Sequence, residues 1–168
     1  QNNNYNLIIM KKVFLILLVA VTTGVFAQST SKEDLDVIQG IYGKSKKELA
    51  VSYMAIPESQ ASAFWKIYDE FEAERKALGK VKVDIINEYA TSYASLTDEN
   101  ADKIAKASLK NSADYQKLMS KYYDKYKKAV GALNAAKIIQ FENYMYTTVL
   151  SELQNSIPFI GEMEATKK

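Results

Sequence analysis

The chain has 168 residues, 25% of them charged and 48% hydrophobic, with two prolines, no cysteine and no histidine. Lacking His and Cys, it has no means of Ser-His-Asp or Cys-His catalysis, thiol redox chemistry, ordinary zinc ligation or haem ligation through histidine. Its 22 Lys+Arg exceed its 20 Asp+Glu only through Lys11 and Lys12; the rest of the chain carries 20 of each, which gives no general affinity for nucleic acid.

Residues 1–9 precede Met10 and read as translated upstream sequence. Residues 10–27, "MKKVFLILLVAVTTGVFA", have the form of a signal peptide: two lysines, an apolar run, then small residues. Val25 and Ala27 fill the −3 and −1 positions, so cleavage is expected after Ala27 with Gln28 as the mature start. The apolar run is shorter than the roughly 20 residues a bilayer span needs. No cysteine follows that could carry a lipid. Residues 28–31 are expected to be a disordered lead, residues 32–157 a single helical domain, and residues 158–168 a tail.

Ser31 can cap a first helix from Lys32 to about Met54, with Glu33 and Asp34 in the turn where the helix dipole favours acids. Leu35, Ile38, Tyr42, Leu49 and Tyr53 share roughly one face, while Gly40 and Gly43 weaken the middle. Pro57 suits the first position of a second helix reaching Ser95. In that helix Phe64, Tyr68, Phe71, Leu78, Ile85, Tyr89 and Leu96 recur at three- and four-residue steps, interrupted by Arg75 and Lys82. The third segment is more regular. Ala101, Ala105, Ser108, Ser112, Tyr115, Met119, Tyr122, Tyr126, Ala129 and Leu133 step by four and three without a charge, as a coiled-coil seam does. A fourth segment, from Ala135 to about Asn155, places Ile138, Phe141, Met145, Val149 and Leu153 on one side. Pro158 then ends it and leaves Phe159 and Ile160 to dock.

Charge supports an antiparallel pairing of the second and third segments. Residues 58–74 carry Glu58, Asp69, Glu70, Glu72 and Glu74, and residues 117–128 carry Lys117, Lys121, Lys125, Lys127 and Lys128. A turn near Leu96 sets these ends side by side. The fold expected is all-α: a long antiparallel helical hairpin with two flanking helices.

One short pattern recurs at the breaks: "IPESQ" at Ile56–Gln60, "LTDEN" at Leu96–Asn100 and "LNAAK" at Leu133–Lys137. Thr97 and Asn134 are expected N-caps, and Leu96 a staple on the helix it precedes. An exported helical chain with such starts resembles the Spy/CpxP proteins, periplasmic proteins with an LTxxQ motif, as a divergent member of Bacteroidetes type. Ile56, Gln60, Leu96, Thr97, Asn100, Leu133, Asn134 and Lys137 are the motif positions. Asn100 stands where the family has Gln, Asn134 and Lys137 replace Thr and Gln, and Pro57 replaces Thr. The resemblance spans roughly residues 50–157.

It implies a Spy/CpxP-like hairpin, two subunits joined as a homodimer, and residence in the periplasm. It also implies an ATP-independent chaperone for unfolded or partly folded envelope proteins, or an accessory protein restraining a membrane stress sensor. Neither nucleic acid nor a cofactor is implied. The histidine-based metal sensing of some relatives is out of reach here. A second reading is a specific adaptor or structural module with one envelope partner and no chaperone activity. No catalytic or metal-binding residue is expected. Candidate client-binding residues are Trp65, beside the apolar stripe, and Lys117, Lys121, Tyr123 and Lys128, within or flanking "KYYDKYKK". For Trp65 the alternative is core packing, and for the lysines a merely solvated face.

Overall fold

The computed structural model describes residues 32–156 and Ile160, and among these there are three α-helices and no strand: α1 (Lys32–Met54), α2 (Glu58–Ser92) and α3 (Asp98–Ser156). A 3-10 turn, Tyr93–Ser95, joins the last two. The all-α class follows directly. The expectations for residues 1–31 and for most of the tail lie outside the described residues. Ile160 is described and is exposed, so it does not dock as expected.

The chain divides between Ala55 and Ile56 into two units, where the sequence reading has one domain over 32–157. In the first, α1 is continuous through Gly40 and Gly43, and Lys46, Leu49, Ala50 and Met54 share its sheltered side. Tyr53 faces out. Ala55 ends the helix with φ at +47°, a left-handed conformation that an L-residue with a Cβ adopts at a cost of about 1–2 kcal/mol.

In the second unit α2 begins at Glu58. Pro57, with φ −56° and ψ 143°, stays outside the helix, and its carbonyl accepts from Gln60 N–H at 2.9 Å. The helix ends without glycine or proline. Thr91 and Ser92 hydroxyls donate to the carbonyls of Asn87 and Glu88, at 2.9 and 2.7 Å, in the last turns. After the 3-10 turn, Thr97 Oγ1 accepts from Asn100 N–H at 3.2 Å and the Thr97 carbonyl accepts from Ala101 N–H at 2.8 Å. Thr97 thus caps α3, with Asp98 and Glu99 in its first turn.

The contacts between α2 and α3 run in opposite order along the two sequences. Glu70 meets Lys125, Glu74 meets Lys121, the Leu78 carbonyl meets Asn111, Lys82 meets Ser108, and Glu88 meets Lys103. The helices are therefore antiparallel, and the acidic and basic ends lie together.

At Gly131 α3 breaks. Its φ of +79° and ψ of 164° fall in a region that only glycine occupies without strain. Tyr115 and Tyr146, each about four turns from the break, stack with centroids 3.8 Å apart and planes 12° apart. Two residues so far from Gly131 in opposite directions can touch only if the chain reverses there. The 132–156 arm accordingly returns along the 98–130 arm. The break comes earlier than the expected cap at Asn134. Asn134 instead turns its amide back, donating to the Val130 carbonyl at 3.3 Å and satisfying an end the first arm leaves open.

Along the expected seam Tyr115, Met119, Tyr122 and Tyr126 are buried, whereas Ala105 and Ser112 are exposed. Leu133, at 84% exposure, lies beyond the break, on the outside of the returning arm. Asn111, Leu118 and Val130 lie off the stripe yet are buried, because the 98–130 arm is packed from more than one side. Phe64, Tyr68 and Phe71 from α2, and Ala135, Ile138 and Met145 from the returning arm, complete the core.

Gly40 and Gly131 give a matched test, since an added Cβ meets nothing within 4 Å at either. Gly40→Ala, inside α1, should stabilise by about 0.4–1 kcal/mol through the unfolded chain. Gly131→Ala should cost about 1–3 kcal/mol from backbone strain alone. Urea unfolding of both variants checks this; equal gains at the two sites would mean the break is not as described.

Candidate functional site

The candidate residues lie in the half of the second unit nearest Gly131, where aromatic rings fill the space between helices. Phe64 packs 5.2 Å from Tyr126, and Phe71 packs edge-on 5.3 Å from Tyr122. Trp65 is half-buried. Its ring stands edge-on to Phe64 at 4.8 Å and to Tyr68 at 5.4 Å, so it belongs to this aromatic group and offers only part of its surface outward.

Three lysines of the basic segment, Lys117, Lys121 and Lys125, each meet a carboxylate. Lys121 donates to both carboxylate oxygens of Glu74, at 2.7 and 2.8 Å, and Lys125 donates to Glu70 at 2.8 Å. Lys125 also lies 4.5 Å from the centre of the Tyr122 ring. Tyr122 is buried but reaches out to donate its hydroxyl to Glu74 at 2.9 Å. Lys117 pairs with Asp114 at 3.3 Å. Lys128 is exposed and Tyr123 half-buried. Of the motif positions, Ile56, Gln60, Leu96, Asn134 and Lys137 are half-buried, while Thr97, Asn100 and Leu133 face solvent. The structure gathers Trp65, Lys121, Tyr123 and Lys128 at one end, yet gives Lys121 a partner of its own.

These pairings set the electrostatics. Hydrogen bonds from Lys121 and then Tyr122 hold the Glu74 carboxyl below its ordinary range, and the bond from Lys125 does the same for Glu70. Lysines 110 and 117 lower Asp114 in the same way. Burial, followed by the bond to Glu74, pushes the Tyr122 hydroxyl up.

Behind this rim lies a polar cluster that sequence spacing does not announce. Glu72 and Glu142 are both buried. Arg75 donates from Nε and Nη2 to the two Glu72 oxygens at 2.8 and 3.2 Å. Burial first, then Glu142 and Glu72, drive the Tyr68 and Tyr126 hydroxyls far above their ordinary range, and Arg75 opposes this at Tyr68. One signal was available: Arg75 interrupts the α2 stripe one turn from Glu72. Another is Glu142 itself, which stands between Ile138 and Met145 at steps of four and three.

Among the described residues no group of three or more His, Cys, Asp or Glu side chains is placed to hold a metal ion. Nor is any of their helices long and apolar enough to cross a membrane. Residues 132–151 of the returning arm present an uncharged outer face. The exposed positions there include Leu133, Ala136, Gln140, Asn143, Tyr144 and Thr147, with Tyr144 at 51% exposure. The exposed sides of α2 and of the 98–130 arm are instead dense in Lys, Asp and Glu. On these, Val81 and Leu109 are the large apolar side chains left open, at 47% and 71%.

No protein-family model, no curated protein and no solved structure matches the chain.

Two results are expected. Arg75→Met removes the fork on a nearly buried carboxylate and should cost about 3 kcal/mol or more, whereas Lys121→Met, at an exposed pair, should cost less than about 1 kcal/mol. Glu70, Glu74 and Asp114 have folded values below their ordinary ones of 4.5, 4.5 and 3.8. Their contribution is therefore complete above those ordinary values and is lost as pH falls through the lower folded ones. Melting curves from pH 7 to pH 2 should show an acid-side loss that Glu70→Gln with Glu74→Gln makes shallower. An unchanged slope would show that these pairs do not hold the helices.

Proposed function

We propose that the protein is a Spy/CpxP-like helical hairpin with flanking helices, working in the periplasm as an ATP-independent chaperone for unfolded envelope proteins. The observation that carries this reading is the outer face of the 132–156 arm, where Leu133 and Tyr144 stand open among uncharged neighbours. Side chains of this kind hold apolar segments of a client weakly, and weak distributed contacts let the client fold and leave without a nucleotide. The Thr97 cap in "LTDEN", the antiparallel α2 and α3, and the signal-type sequence at 10–27 support the same reading.

The pairing of Lys121 with Glu74 moves the weight from charge to apolar contact. Leu133→Ser with Tyr144→Ser alters only exposed positions and should leave the melting temperature nearly unchanged. The measurement is light scattering of several chemically unrelated denatured clients, with stoichiometric protein present and no nucleotide. Protection of many clients, weakened by the double serine variant and little affected by salt or by Lys117→Glu with Lys128→Glu, is the expected outcome. Protection abolished by salt would place capture on the lysines instead, since exposed charges are screened beyond about 8–10 Å. Failure to protect any client, with a single envelope protein recovered by crosslinking in cells, would replace the chaperone by a specific adaptor.

A further inference from the structure

We propose that Lys82 is a modification site: an amine set in the seam between α2 and α3 that reacts selectively with small acyl donors such as acyl phosphates. This inference is independent of the chaperone reading. Lys82 occupies a stripe position of α2 and is half-buried, and its Nζ donates to Ser108 Oγ across the helix pair at 3.3 Å. Three other lysines that cross between these helices meet carboxylates: Lys103 meets Glu88 at 2.6 Å, Lys121 meets Glu74 at 2.7 Å and Lys125 meets Glu70 at 2.8 Å. Lys82 meets a neutral hydroxyl.

The residues one turn to either side of Lys82 on α2, and of Ser108 on α3, are uncharged. Leu78 and Ile85 flank it on α2, and Ala105, Asn111 and Ser112 flank Ser108. Of the nearest charges, Lys80 and Asp84 are on the exposed side of α2, while on α3 Lys106 is paired with Asp102 and Lys110 with Asp114. From the returning arm, Tyr146 is engaged with Ser112, and Glu142 lies at the level of Tyr68, about four turns away along α2. Burial alone acts on the ammonium, and it lowers the pKa. More of the free amine is then present near neutral pH than at a solvated lysine, while the half-exposed position admits a small electrophile.

In the reaction the Nζ lone pair forms an N–C bond to the acyl carbon. The C–O bond to phosphate breaks, and its electron pair leaves with the phosphate. The proton lost by nitrogen passes through the Ser108 hydroxyl to the departing phosphate, so no other reagent is consumed. The product is a neutral amide whose N–H can still donate to Ser108. Acylation at this position breaks no ion pair, whereas at Lys121 it would break the bond to Glu74.

The test is limiting acetyl phosphate on the full folded chain, with rates for each lysine read by peptide mass spectrometry from pH 6 to pH 10. Lys82 should react roughly 3-fold or more faster than the exposed Lys128 at pH 7.5 and half-titrate at lower pH, a tenfold gain in free amine corresponding to one pKa unit. In urea the two rates should become equal. Ser108→Asp supplies the missing carboxylate and should remove the preference for Lys82 without changing the rate at Lys128. Equal rates in the folded chain, or a preference that survives unfolding, would overturn the proposal. Should the Ser108→Asp variant fail to fold, the comparison of native and urea-unfolded chain decides alone.

Discussion

The second unit depends on one backbone constraint, the conformation of Gly131. A helix running on from Asp98 without interruption would present a single stripe to α2 and leave its other sides to solvent. Because glycine adopts φ +79° and ψ 164° without a Cβ penalty, the chain turns back there. The arm that returns covers a further side of residues 98–130, buries Ala135, Ile138 and Met145, and brings Tyr146 onto Tyr115. The rest of the unit's chemistry follows from having three helical segments side by side instead of two.

A third segment makes the interior polar as well as aromatic. Glu142 enters on the returning arm and joins Glu72, Arg75, Tyr68 and Tyr126, all drawn from the other two segments. Such groups are costly to bury, and the forked Arg75–Glu72 bond offsets part of that cost. That bond lies within α2, three residues apart, and does not set the register between helices. An apolar stripe tolerates sliding by a turn, and it is the exposed pairs Glu70–Lys125 and Glu74–Lys121, which cross from α2 to α3, that oppose such sliding, at modest energy. With both ends of each pair fixed across α2 and α3, parallel or shifted packings would set like charges together.

The distribution of charge over the outside carries the functional argument. Most exposed positions on α2 and on the 98–130 arm are charged or paired with charge, as expected for solvated helices. Residues 132–151 of the returning arm differ, with few charged residues and an exposed side that is neutral. Lys82 is the counterpart inside the pair of helices: a half-buried cation whose partner across the seam is a neutral hydroxyl. Both features come from the same cause. Packing position, rather than residue type, decides whether a side chain meets water, a partner or neither.

The sequence by itself determined what depends on local chemistry. Helix-forming runs without proline predicted four helical segments, the last two of which α3 joins across Gly131; Thr97 followed by two acids predicted the cap of α3, and the opposed acidic and basic runs predicted which ends meet. Phe64, Tyr68, Phe71, Tyr115, Met119, Tyr122 and Tyr126 were legible as core from their spacing, because a stripe at steps of three and four can be buried in only one way. Tertiary structure alone decided the rest. The sequence placed a break at "LNAAK", but that Gly131 makes it and that the chain reverses there could not be read, since Gly131 differs from a tolerated helical glycine such as Gly40 only in backbone angles that packing selects. For the same reason Leu133 read as seam and Asn134 as an N-cap. Each is a statement about which segment lies alongside, and spacing along one chain does not contain the position of the segment that covers it.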